Sequence, residues 1–202
     1  MSTRKIISEL EKLKDELSIV SMQKIQVPEN NFLTVETYQI MLKDAIVFNR
    51  EKMLKNGKDG SAVVVVPITK DNKSLVIVEP RVFSESGIGI EIPAGYIDPG
   101  ETPEMAAIRE LKEETGYACE ELIELKSYYQ DQGISGAYNT CFLALGCEKR
   151  FEQSLDRDEY IKYLECTFND LVYLVNNGII NDANGIIAIE AAKKYLSRKN
   201  KR

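Results

Sequence analysis

The chain contains no histidine in 202 residues. That absence removes the Ser-His-Asp triad, the Cys-His pair and histidine-ligated zinc. Acid–base chemistry must then fall to carboxylates, lysine, tyrosine or metal-bound water. Cysteine is scarce: Cys119, Cys141, Cys147 and Cys166, with no C-x-x-C pair among them. Cys141 and Cys147 lie in or beside an apolar run, where a thiol behaves as a small core hydrophobe. This usage points to a reducing cytoplasm. No apolar run approaches the roughly 18 residues that a membrane span needs. The N-terminal segment is charged throughout and is not expected to be a signal peptide. A basic excess is also missing, since 26 Lys and Arg stand against 32 Asp and Glu. The net charge of −6 speaks against a nucleic-acid backbone or an anionic membrane as partner. A small anionic ligand stays open, because a bound cation reverses the sign of an acidic pocket.

What is present is a mixture of helix and strand signals. Ile6, Leu10, Leu13 and Leu17 recur at helical spacing, with Lys and Glu between them, so 3–17 reads as an amphipathic helix. Residues 19–26 and 32–48 read as extended, with VETYQIML and AIVFNRE as candidate strands. NGKDG at 56–60 is a strong breaker. It divides an N-terminal unit, 1–58, from a main domain, 59–202. SAVVVVPI has the continuous β-branched run of a buried strand, and SLVIVEPR (74–81) and GIGIEIPAG (87–95) follow it. The pattern then predicts a helix at 103–115, strands near 122–130, 138–146 and 160–167, and helices at about 169–176 and 184–198. Strands and helices mix without strict alternation, which predicts an α/β fold with a mixed sheet and helices on its faces.

The stretch GYIDPGETPEMAAIRELKEETGY, 95–117, concentrates acids. Thr102 is a good N-cap, Pro103 suits the first helical position, and Gly116 can end the helix in a left-handed turn. Projected at about 100° per residue, Glu114 falls about 40° from Glu110, and Glu113 about 60° to the other side. The three carboxylates share a face. Leu111 and Ile108 fall elsewhere and are the expected packing residues. Like charges at this spacing cost a few tenths of a kcal/mol in an isolated helix. They are expected either as a solvated face or as oxygen ligands for a hard divalent cation. Arg109 flanks them and can hold one carboxylate in place.

Written out, the pattern is G-x5-E-x7-R-E-U-x-E-E-x-G-U, with U an aliphatic residue. Gly95, Glu101, Arg109, Glu110, Leu111, Glu113, Glu114 and Gly116 all match. It resembles the Nudix box. Tyr117 stands where an aliphatic residue is usual, at a packing position. The resemblance implies an α/β/α sandwich with a mixed sheet, here preceded by an N-terminal helix and strands. It also implies a loop–helix–loop that binds Mg²⁺ or Mn²⁺. Carried over, Glu110 and Glu114 are the main metal ligands, Glu113 a direct or water-mediated one, and the Ala94 carbonyl a further one. Arg109 and Glu101 are orienting residues. The chemistry implied is attack of water on a phosphorus of a pyrophosphate.

AVVVVPI, LVIVEPR, EIPAGYIDPGE, AAIRELKEETGY and the late NNGIINDANGIIAIEAAKKYL are similar to the ADP-ribose pyrophosphatase branch. That likeness implies a nucleotide-sugar substrate and a homodimer built partly by the N-terminal strands. Two departures stand out. Glu79-Pro80-Arg81 replaces the branch's Gln-x-Arg, which leaves Arg81 as a candidate phosphate contact with Glu79 beside it. After the box, DQGISGAYN (131–139) replaces a Ser-Pro-Gly loop with a catalytic Glu. Gly133 remains a candidate substrate contact there, and the base is expected to be Glu113, Glu114 or Asp131. Tyr128, Tyr129 and Tyr138 flank this loop, as strand packing or as a base-stacking surface. The resulting expectation is Mg²⁺-dependent hydrolysis of ADP-ribose or a related nucleoside diphosphate sugar. The alternatives are another nucleoside diphosphate derivative, or a ligand-binding module that has lost turnover.

Overall fold

The computed structural model describes residues 3–23 and 32–199. The N-terminal helix, α1, runs Thr3–Glu16. Residues 19–23 of the expected early extended segment carry no strand, and 24–26 lie outside the described residues. Then β1 (Leu33–Met41) and β2 (Val47–Lys55) pair antiparallel as a separate two-stranded sheet.

The main sheet follows: β3 (Ala62–Thr69), β4 (Lys73–Pro80), β5 (Ile88–Glu91) and β6 (Ala94–Tyr96). After α2 (Pro103–Thr115) come β7 (Tyr117–Ala118), β8 (Glu121–Tyr129), β9 (Tyr138–Lys149) and β10 (Lys162–Thr167). Two helices close the chain, α3 (Phe168–Asn176) and α4 (Ala183–Lys199). The central strand order is β10-β4-β3-β9-β7, with β5 paired to β4, β6 to β3 and β8 to β9. The pair β3–β9 is parallel and the other strand pairs are antiparallel, so the sheet is mixed. The stretch 87–95, expected as one strand, divides at Ile92-Pro93. Its first part pairs with β4 and its second with β3, because proline cannot donate to a ladder.

Strand alternation sorts the valines of β3 to two faces. Val63 and Val65 pack with Ala106, Ala107, Leu111 and Phe142 beneath α2. Val64 and Val66 pack on the opposite side with Ile6, Leu10, Leu171, Leu174 and Ile189, from α1, α3 and α4. The result is the expected α/β/α sandwich. Helix α1 belongs to this main core: Ile6 and Leu10 are fully buried there. The β1–β2 hairpin forms its own sheet: β1 is exposed along nearly its whole length, while the end of β2 is covered, with Leu54 buried and the Met53 amide donating to the Ile134 carbonyl at 2.7 Å.

Helix α2 is specified at both ends. The Thr102 hydroxyl accepts the Met105 amide, Pro103 opens the first turn, and Gly116 closes it at φ 76° while donating to the Lys112 carbonyl at 2.8 Å. Its packing differs from the expected face. Leu111 is buried, but Ile108 is 50% exposed. Ala106 and Ala107 replace it against the sheet, and their small size lets the helix approach closely enough to bury Glu110 and Glu114 as well. Tyr117 is buried as a packing residue, and its hydroxyl donates to Glu165 at 2.7 Å.

Candidate active site

Glu110 lies against the backbone of Gly95. A Cβ at that glycine would overlap the Glu110 carboxyl group, so the close approach of helix to loop requires glycine. One turn later, Glu114 Oε2 accepts the Ala94 amide at 3.1 Å. Arg109 ties the loop to the helix. Its Nε and Nη2 each donate to the Glu101 carboxylate at 2.9 Å. Nη1 donates to Glu110 at 2.7 Å and to Glu113 at 3.0 Å, and Nη2 also donates to the Tyr96 carbonyl at 2.9 Å. One guanidinium therefore serves three carboxylates and a carbonyl, a geometry that a lysine cannot reproduce.

Glu110 and Glu114 are buried, whereas Glu113 is partly exposed. Burial pushes the Glu110 carboxyl up to about 7, against the pull of Arg109. Burial also raises Glu114 well above the usual carboxylate range, and the charges of Glu110 and Glu79 add to it. On β4, burial pushes Glu79 up to about 7 while Arg81 opposes the shift. Arg81 forks onto Glu91 at 2.6 and 2.8 Å and pairs with Glu79 at 2.8 Å.

Glu79, Arg81, Ala94, Arg109, Glu110 and Glu114 line one cleft of about 1370 Å³. Glu101 and Glu113 are not in its wall and reach it through Arg109. Gly133 sits outside it, in the loop after β8, with its amide held by Asp131 Oδ1 at 3.2 Å. Asp131 is likewise outside the wall. Among the described residues no three acids converge as a finished ligand cluster, because Arg109 and the Ala94 amide hold the carboxylates. The donor set nonetheless fits a hard divalent cation. Glu110 shares Arg109 with Glu101 and Glu113, Glu114 has no salt bridge among the described residues, and every donor is oxygen, so a cation would relieve the burial that raises both carboxyls.

The structure also places acids in the cleft that the sequence reading passed over. Glu159, from the segment between β9 and β10, lines it, and its charge raises Glu79, Glu110 and Glu114. Asp182 lines it too, with Oδ1 accepting the Gly185 amide at 2.7 Å at the start of α4. The sequence offers only a weak signal for Glu159, three acids within Asp156–Glu159 interrupted by Arg157. Tyr128, by contrast, is committed to the fold through Asn184 at 2.5 Å, and Tyr129 packs edge-on against Tyr138.

Residues 58–184 match the family model of the NUDIX domain. The chain belongs to the Nudix family. It is therefore a hydrolase acting on pyrophosphate bonds. The chain is 35% identical to an ADP-ribose pyrophosphatase of Bacillus subtilis over 134 residues, 66% of this chain and 72% of that protein. It is 33% identical to a methanol dehydrogenase activator of Bacillus methanolicus over 141 residues, 69% of this chain and 76% of that one. A crystal structure of an ADP compounds hydrolase superposes with a TM-score of 0.73 at 24% identity, covering 89% of this chain and 97% of that one. At that identity it attests the Nudix fold alone.

Proposed function

We propose that this Nudix protein hydrolyses the pyrophosphate of ADP-ribose or a related nucleoside diphosphate sugar, releasing a nucleoside monophosphate and a sugar phosphate. The observation that carries the reading is the pair of buried carboxylates, Glu110 and Glu114, in the wall of a cleft that also presents Arg81. Glu110, Glu114 and Glu113, with the Ala94 carbonyl, would hold Mg²⁺ or Mn²⁺. When bound, the metal neutralises phosphate charge and makes water a better nucleophile.

The chain's own groups do the rest. Arg109, held by Glu101, fixes Glu110 and Glu113 in orientation. Arg81, itself anchored by Glu91 and Glu79, offers cationic surface to a phosphate. Glu159 is our candidate for the acid that takes the proton from the attacking water, because it lines the cleft and has no arginine partner among the described residues, its Oε2 accepting only the Asp156 amide at 2.9 Å. Asp131 lies outside the cleft wall. The exposed β1–β2 hairpin supports a homodimer built through that element. The four free cysteines support a reducing cytoplasm, and no helix among the described residues is long and apolar enough to cross a membrane.

The deciding experiment is a panel of nucleoside diphosphate derivatives with Mg²⁺ or Mn²⁺, read by phosphate release after coupling to a phosphatase. Turnover highest on a nucleotide sugar is expected. Tight ADP-ribose binding with no turnover of any compound would replace the enzyme by a ligand-binding module.

A further inference from the structure

The last carbonyls of a helix have no partner within it. In α2, which carries the acids, these partners come from the segment between β9 and β10. The Ser154 amide donates to the Glu113 carbonyl at 2.9 Å, and the Arg150 and Phe151 amides both donate to the Gly116 carbonyl at 3.0 Å. The segment sits so close that a Cβ at Gly116 would meet the Phe151 carbonyl oxygen at 2.2 Å. Gln153 serves the remaining site at Glu114: its Nε2 donates to the Glu114 carbonyl at 2.6 Å. The same Nε2 donates to the Ile161 carbonyl at 3.3 Å. Both partners are acceptors only, so the amide must turn its nitrogen toward them. One side chain thus joins the two ends of the loop 153–161 and fixes both to the backbone of Glu114. At the tip of this loop, the Glu159 amide donates to the Asp156 carbonyl at 3.1 Å and its Oε2 accepts the Asp156 amide at 2.9 Å. Asp156, Glu159 and Ile161 all line the cleft.

We infer that Gln153 is a positioning residue, which sets the loop carrying Glu159 in register with the turn of α2 that carries Glu114. The inference rests on the role proposed above for Glu159. A general base must stand within hydrogen-bond reach of its water, and Glu159 has neither helix nor strand to hold it there. The hydrogen bond its side chain accepts lies inside its own loop. Its place relative to the acids of α2 is therefore inherited from the root of the loop. Backbone bonds hold the near end of that root, and the pairing of β10 with β4 holds the far end from Lys162 onward. Gln153 is the group that ties one end to the other. A residue that only satisfied two carbonyls would contribute to stability and leave the kinetics of Glu159 alone.

The test is a double-mutant cycle in ADP-ribose hydrolysis with Mg²⁺, comparing wild type, Gln153→Met, Glu159→Gln and the double variant, each with its unfolding midpoint. Methionine keeps the length of the side chain and removes its donors. Gln153→Met is expected to lower kcat about tenfold, to keep KM within about twofold, and to add no further loss where Glu159 is already glutamine. Unchanged kcat, or the same loss with and without Glu159, overturns the inference. Should methionine cost the fold, Gln153→Asn keeps the amide on a shorter stem and is expected to show the same pattern. Hydrogen–deuterium exchange reads the loop without turnover. Gln153→Met is expected to speed exchange across 155–160 about fivefold or more while the amides of α2 stay at their wild-type rates. Wild-type kcat in Glu159→Gln, or no turnover by wild type, removes the reading of Glu159 by itself. The exchange measurement then decides for Gln153: faster exchange confined to the loop upholds the tie, and unchanged exchange overturns it.

Discussion

At the scale of single residues, the site depends on atoms that are missing as much as on those present. Gly95→Ala adds one methyl group where the Glu110 carboxyl lies. The expected outcome is a folded protein with activity lowered ~100-fold, the typical effect of a displacement of about 1 Å in a catalytic group. Steady-state kinetics beside a thermal melt checks both halves of that statement. Arg109→Lys keeps the charge but cannot span Glu101, Glu110, Glu113 and the Tyr96 carbonyl together. A loss of similar size is expected in kcat. Near wild-type kcat in that variant would show that Arg109 serves only as a counter-charge. These residues were legible beforehand through a spacing that resembles the Nudix box, on a helix whose two ends the sequence specifies. Glu159 was not. Its position depends on how an irregular segment folds back over the cleft, and no local periodicity encodes that.

Helix α2 carries the next level. Its caps were readable from Thr102, Pro103 and Gly116, but its buried face was not, since hydrophobicity alone favours Ile108 over Ala106 and Ala107. The small residues won because they let the carboxylates reach the loop of β6. That burial has a signature in pH. A carboxyl whose folded pKa is raised binds its proton more tightly in the native state, so the native state loses stability as pH rises from about 4.5 to about 7. Above that window the penalty is fully present. Metal-free protein is therefore expected to melt lower at pH 8 than at pH 5 through this cluster, with Mg²⁺ restoring stability at the higher pH. Glu110→Gln is expected to flatten the profile and abolish the rescue. A metal-free profile identical in Glu110→Gln and wild type would count against the buried-carboxylate account. Loop chemistry gives a companion test: Glu159→Gln is expected to depress kcat while Asp131→Asn leaves it within about threefold. The reverse ranking would return the base to the loop after β8.

Across the whole molecule, the mixed sheet and its two helical layers follow from patterning: unbroken valines in β3, amphipathic α1, and strands too irregularly spaced for strict alternation. The hairpin follows a different logic. It exposes Val35 and Met41 at 63% and 73%, yet a lone two-stranded hairpin is marginal in water. Val35→Glu combined with Met41→Lys is expected to shift the protein toward a monomer in sedimentation velocity. A monomeric wild type would dismiss the proposed dimer outright. In the main core, Leu111→Ala is expected to cost about 2–5 kcal/mol in denaturant unfolding, because Leu111 is fully enclosed beneath α2.

The parallel register of β3 with β9 joins Val63 to Thr140, across most of the main domain. During synthesis, β3 leaves the ribosome well before its central partner exists. Until residue 140 and beyond are available, the valine-rich edge that will become the middle of the sheet is an open template for other chains. At that stage α2 is already made and the sheet is incomplete, so an exposed strand edge is expected there. Folding yield at high expression is therefore expected to be sensitive to substitutions that slow the docking of β9 on β3.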